Sequence, residues 1–102
     1  MPQVHHALQQ LDRELKLAHQ EKCALLKLVH GYGSSGVGGE IRIAVQKRLV
    51  EMANRGEIRS YIFGEDWSKS NEQTWKLLQT KPELKLDHDL GRKNLGITIV
   101  ML

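Results

Sequence analysis

Ala24-Leu25-Leu26-Lys27-Leu28-Val29-His30-Gly31-Tyr32-Gly33-Ser34-Ser35-Gly36-Val37-Gly38-Gly39 decides the fold. Its first six residues form an apolar run that stops at glycine. The run is too short for an independent helix and reads as a largely buried strand over 24–29. Residues 30–39 hold five glycines in ten positions, and no regular element survives the backbone entropy that this implies. They read as a loop. Beyond it, Ile41, Ala44, Val45, Leu49 and Met52 share one helical face, which predicts a helix over 39–54 with Gly56 as its stop. A strand, a glycine loop and a helix in that order give the geometry that binds anions, because a helix start presents free N–H groups and a partial positive charge.

The flanks fit around that unit. Val4, Leu8, Leu11, Leu15 and Ala18 make one apolar stripe and predict a helix over 3–20, with Pro2 suited to a first turn. Ile58-Arg59-Ser60-Tyr61-Ile62-Phe63 alternates with bulky residues and reads as a second strand. A third helix is expected over 71–78, capped by Ser70 with Gln73 completing the capping pattern. Residues 81–94 are strongly charged and read as a long surface connection. Gly96-Ile97-Thr98-Ile99-Val100-Met101-Leu102 is apolar on both faces and reads as an interior strand rather than an edge. The fold class is α/β, a two-layer sandwich of one domain over 1–102 in the order α-β-α-β-α-β. The strands on either side of the middle helix should point the same way.

The chain has 102 residues, 40% hydrophobic and 26% charged. That is enough for one core and too polar for a membrane span. A lone cysteine, Cys23, excludes an internal disulfide and a multi-thiolate metal site. With no apolar leader visible, the expected location is cytoplasmic. Cys23 itself reads as a small buried residue. Of the net charge of +3, +2 falls within residues 30–64, around the glycine loop, and none within 65–102. A sequence pI near 9.2 fits attraction to phosphate.

Gly31-x-Gly33-x-x-Gly36 has the spacing of a dinucleotide fingerprint. The doubly wound sheet that goes with it needs far more chain, and the first acidic residue after the second strand, Glu65, lies too far along. A phosphate-binding loop of the Walker type fails too, since Val37 and Gly38 stand where Lys and Ser/Thr belong. His30-Gly31-Tyr32-Gly33 followed by Ile41-Arg42-x-Ala44-Val45 instead resembles the second motif of the small MutS-related (Smr) domain, and Gly96 to Val100 resembles that family's last strand. The resemblance implies a mixed β-sheet, four-stranded in the family and three-stranded here, whose last strand runs antiparallel between two parallel ones. It also implies binding to branched DNA, to RNA or to ribosome-associated RNA.

The family's first strand carries Leu-Asp-x-His-Gly, which these residues lack; Asp87-His88-Asp89 reverses the order and lies in the charged connection. Two expectations follow. Nicking endonuclease activity is in doubt, with His30 its only catalytic candidate. The outer edge of strand 24–29 is also left open. Either a partner strand closes it, a second copy included, or the natural chain starts upstream of Met1, which is the favoured alternative.

The expected nucleic-acid-binding residues are His30, Gly31, Tyr32, Gly33, Ser34, Ser35, Gly36, Gly38, Gly39, Arg42 and Lys47. Loop amides would meet phosphate, Arg42 would fork onto it, and Tyr32 would stack on a base. Each has a plainer alternative: His30 bonding the loop backbone, Tyr32 packing over the loop, and Arg42 pairing with a nearby acid. No cofactor is expected. Only the nuclease reading brings in a divalent metal, with Glu65 and Asp66 as its weak candidate ligands. A protein-interaction module within larger machinery is the third reading.

Overall fold

Leu11, Leu15 and Ala18 recur at helical spacing, and all three are buried. They anchor α1 (Pro2–Gln20) on the sheet. This computed structural model describes residues 2–32 and 39–102. α1 ends in a left-handed residue, Lys22 at φ 58°, with Cys23 N–H bonded to Ala18 O and Lys22 N–H to His19 O. That pairing satisfies two terminal carbonyls and turns the chain into the sheet. Then follow β1 (Leu25–Val29), α2 (Glu40–Asn54), β2 (Ser60–Phe63), a 3-10 turn (Gly64–Asp66), α3 (Glu72–Thr80), a second 3-10 turn (Pro82–Leu86) and β3 (Ile97–Met101). The α/β class and the element order are those the sequence predicts. Gly56 closes α2 as expected, donating to Ala53 O while Glu57 N–H reaches Met52 O.

The sheet order is β1-β3-β2. β3 lies in the middle, paired antiparallel with both neighbours in the registers Lys27↔Ile99 and Ile62↔Ile99. β1 and β2 therefore point the same way without touching. Ile97, Thr98, Ile99 and Val100 are all buried, so the apolar C-terminal run is the interior strand that its composition suggests. Side chains alternate across it. Leu28 and Val100 face α1 and α2, joining Leu11, Leu15, Val45, Leu49 and Met52. Ile62, Ile97 and Ile99 face the other way, onto Trp67 and Leu78. α1 and α2 form the helical layer of the sandwich; α3 and residues 82–90 close the second face of the sheet.

Three local expectations are corrected. Asn71, not Ser70, caps α3: its Oδ1 accepts from Thr74 N–H at 3.0 Å. Residues 81–94 are more than a solvated connection. Leu84 and Leu90 pack on the core, and Asp89 is buried. Cys23 is exposed, because the turn ending α1 lifts it off the sheet. The two tryptophans part company, Trp67 being fully buried and Trp75 44% exposed.

Candidate functional site

β1 delivers His30 to the upper end of the sheet. His30 and Gly31 N–H both donate to Gly96 O at 3.0 Å, so the start of the glycine loop is tied to the start of β3. The chain re-enters at Gly39, the left-handed N-cap of α2 at φ 77°. A Cβ at Gly39 would stand 2.8 Å from the Tyr32 ring. Glycine is needed there both for its φ and for that contact. Tyr32 therefore packs across the helix start, which is its plainer reading. No side chain among the described residues caps α2, and the Tyr32 carbonyl accepts only a long bond, 3.4 Å, from Arg42 N–H.

His30 uses both ring nitrogens. Nδ1 lies 2.7 Å from Gly31 O and Nε2 lies 3.0 Å from Thr98 Oγ1. A carbonyl can only accept, so Nδ1 carries the proton and Nε2 accepts from the threonine hydroxyl. Burial pushes the imidazole below its usual range, and the positive Arg42 adds to this; the backbone bonds at Gly31 and Ile97 oppose it. The imidazole is neutral near pH 7, doing structural work at the loop's root.

Arg42 sits in the first turn of α2. Its guanidinium donates to Glu65 Oε2 at 2.8 Å, while Gln46, one turn on, donates to Glu65 Oε1 at 3.1 Å. Arg42 thus pairs with an acid, one that is near in space but 23 residues along the chain. Burial alone would raise the Glu65 carboxyl, but the bonds from Arg42 and Gln46 outweigh it and hold the group below the usual carboxylate range. Two buried polar atoms here, Glu40 Oε1 and Arg42 Nε, have no hydrogen-bond partner among the described residues. Lys47 does not join them. It is exposed and lies five residues beyond Arg42, about 140° around the helix. Gly33, Ser34, Ser35, Gly36 and Gly38 lie outside the described residues.

Glu65 is thus an ion-pair partner, and Asp66 is exposed beside it, its carbonyl accepting from Thr74 Oγ1 at 2.7 Å. A second cluster lies on the opposite face of the sheet. Asp87, His88 and Asp89 bring ligand-type atoms within 4.8 Å of one another. A side-chain cation already sits there: Lys27 Nζ is 2.8 Å from Asp87 and 2.6 Å from Asp89. Trp67 Nε1–H donates to Asp87 at 3.0 Å and Asn94 to Asp89 at 3.0 Å. The oxygens of both aspartates are taken up in accepting from Lys27, Trp67 and Asn94.

Sequence reasoning missed three partners in this region: Thr98, Gln46 and Gly64. Thr98 could have been found, since it is the one polar side chain between Ile97 and Val100 and lies on the face of Leu28 and His30. Gly64 precedes Glu65 and touches the backbone of Asn94 and Ile97, a closeness that only tertiary structure reveals. Among the described residues, no helix is long and apolar enough to cross a membrane. No family model, no curated protein and no solved structure matches the chain.

Proposed function

We propose that this chain is a nucleic-acid-binding domain of the small MutS-related type, which holds the phosphate backbone of structured DNA or RNA where the glycine-rich loop runs into α2. One observation carries the reading: α2 begins at a left-handed glycine with no side-chain cap, and Arg42 lies half-buried in its first turn. Uncapped amides and a guanidinium at a helix start are donors of the kind that phosphate takes. The charge surplus of residues 30–64 supports the same surface.

Binding is favoured over cleavage. Both nitrogens of His30 are engaged within the fold, so the one catalytic candidate has no free nitrogen to offer a substrate. Glu65, one of the two metal candidates, is committed to Arg42 and Gln46.

The test is a salt series. Fluorescence anisotropy of labelled hairpin RNA and branched DNA should report binding at low ionic strength, and log affinity should fall linearly with log salt as counterions are released. The labelled strands should remain uncut. No binding at about 50 mM salt would end the reading. Cleavage that survives purification and vanishes in His30→Ala would replace it with the nuclease.

A further inference from the structure

The phase of the β1–β3 ladder decides which backbone groups of β1 are spare. Leu102 N–H donates to Ala24 O at 2.9 Å, and His30 N–H donates to Gly96 O at 3.0 Å. In an antiparallel pair, a residue's N–H and C=O point to the same side and alternate along the strand. Residues 24, 26, 28 and 30 therefore face β3, while Leu25, Lys27 and Val29 turn their N–H and C=O outward. β1 is an edge strand, and among the described residues these outward groups have no backbone partner. Unpaired edges of this kind are templates for another strand.

The edge lacks the usual protections. It has no proline and no bulge, and its register with β3 runs unbroken from Leu25 to Val29. Its one charged residue is not free to repel a neighbour, because Lys27 is bound by Asp87 and Asp89 across the sheet face. Val29 ends the strand 75% exposed, an apolar side chain that the described residues leave open.

We propose that β1 pairs with β1 of a second copy, antiparallel about a two-fold axis at Lys27. The sequence fits its own reverse in that register. Lys27 faces Lys27, each ammonium already bound by its own two aspartates, so the two do not meet as bare cations. Leu25 faces Val29, so the exposed valine is covered by a half-buried leucine on the same sheet face. On the other face Leu26 meets Leu28. Every outward N–H then finds an outward C=O, as an isologous contact requires, and two three-stranded sheets become one of six. Shifting the register by one residue would set outward groups against inward ones and bring opposite faces together. The contact is small, so the dimer should be weak. It uses neither the helix start nor Arg42 and stands apart from the nucleic-acid reading.

Sedimentation equilibrium combined with amide hydrogen exchange on the intact chain tests it. The expected result is a monomer–dimer equilibrium in which the Leu25, Lys27 and Val29 amides gain protection as concentration rises. Leu26 and Leu28 should be protected throughout. Val29→Pro removes an outward donor and leaves the β1–β3 bonds intact, so it should weaken the dimer at least tenfold. Val29→Thr, which keeps the donor, should dimerise within about threefold of the parent. A monomer at all concentrations overturns the proposal. So does a dimer whose outward amides exchange freely, since it would use another surface. Outward amides protected equally at every dilution overturn it too, because the edge would then be covered within one chain.

Discussion

Arg42 reaches out of the first turn of α2 and donates to Glu65 at 2.8 Å, so the cation best placed to meet a phosphate is already shared with an acid. Glu65 can play two parts there. It holds the guanidinium in place, and it lowers the local positive potential. The variants separate these parts. Arg42→Ala should weaken nucleic-acid binding almost uniformly across sequences and flatten the salt dependence by about one phosphate contact. Glu65→Gln keeps an acceptor for Arg42 and removes the negative charge; binding should tighten roughly two- to fivefold, the scale of a partly exposed ion pair. An unchanged salt slope for Arg42→Ala would remove the helix start from the interface.

The buried His30 makes stability depend on pH. Its folded value lies below the ordinary imidazole range, because burial and Arg42 disfavour the charged form. The unfolded chain therefore binds more protons in mildly acidic solution, and stability must rise with pH there. This contribution is fully present above the unfolded imidazole value of about 6.5 and is lost as pH falls through the lower folded value. His30→Gln should lack it. Urea midpoints measured near pH 5 and pH 7.5 should differ less in the variant than in the parent. A parent and variant with parallel pH profiles would show that burial and Arg42 do not hold the ring neutral.

The elements were legible wherever chain-local physics decides them. α1 and α2 follow from stripes such as Leu11–Leu15–Ala18 and Val45–Leu49–Met52, whose members are buried. β3 as the central strand follows from apolar residues on both faces. The glycine run is equally plain as a break between β1 and α2. What escaped depends on partners distant in sequence. Lys27 lies 60 residues from Asp87, so nothing local in 81–94 announces that its acids fold back on the sheet. Ser70 and Asn71 are adjacent capping residues, and propensity alone does not choose between them. At the candidate site, His30 and Arg42 were visible as residue types. Their partners Thr98 and Glu65 come from other elements and set what the two side chains have left to offer.

Lys27 is the fold's most exacting charge. Its ammonium binds Asp87 and Asp89, and it rises above its usual range because those bonds outweigh the burial that would lower it. Asp89, 8% exposed at its side chain, is held below the usual carboxylate range by Lys27 and Asn94. Lys27→Met keeps the stem and strands two acids beside each other. The loss should be about 1–3 kcal/mol near neutral pH, less than for a fully buried pair because Lys27 retains some solvent. The sign in acid is opposite to intuition about damaged proteins. The parent loses the aspartates' contribution as pH falls through their lowered values, whereas the variant gains by protonating them. Denaturation curves for the two should converge as pH drops; a gap that stays constant would mean that Lys27 acts through packing alone.

Two glycines near the site should respond differently to the same methyl group. At Gly39 an alanine meets the ring of Tyr32, a side chain that can swing aside, and the φ of 77° leaves a left-handed strain of about 1–2 kcal/mol. At Gly64 the added carbon would lie 1.8 Å from Asn94 O and 2.8 Å from Ile97 O. Both are main-chain atoms at the corner leading into β3, so neither can turn away. Gly64→Ala should therefore lose at least 1–3 kcal/mol, about the range for overpacking, and lower the thermal midpoint by about 4–8 °C for each kcal/mol lost. The damage should also be local. Gly64 begins the turn that carries Glu65, so displacing it pulls the carboxylate from Arg42, and Asn94 lies two residues before the Gly96 carbonyl that ties down His30 and Gly31. Amide exchange at Gly31 and Arg42 should accelerate in Gly64→Ala and change little at β1's Leu26. Uniform acceleration across the sheet would show that the corner supports the whole fold rather than the site.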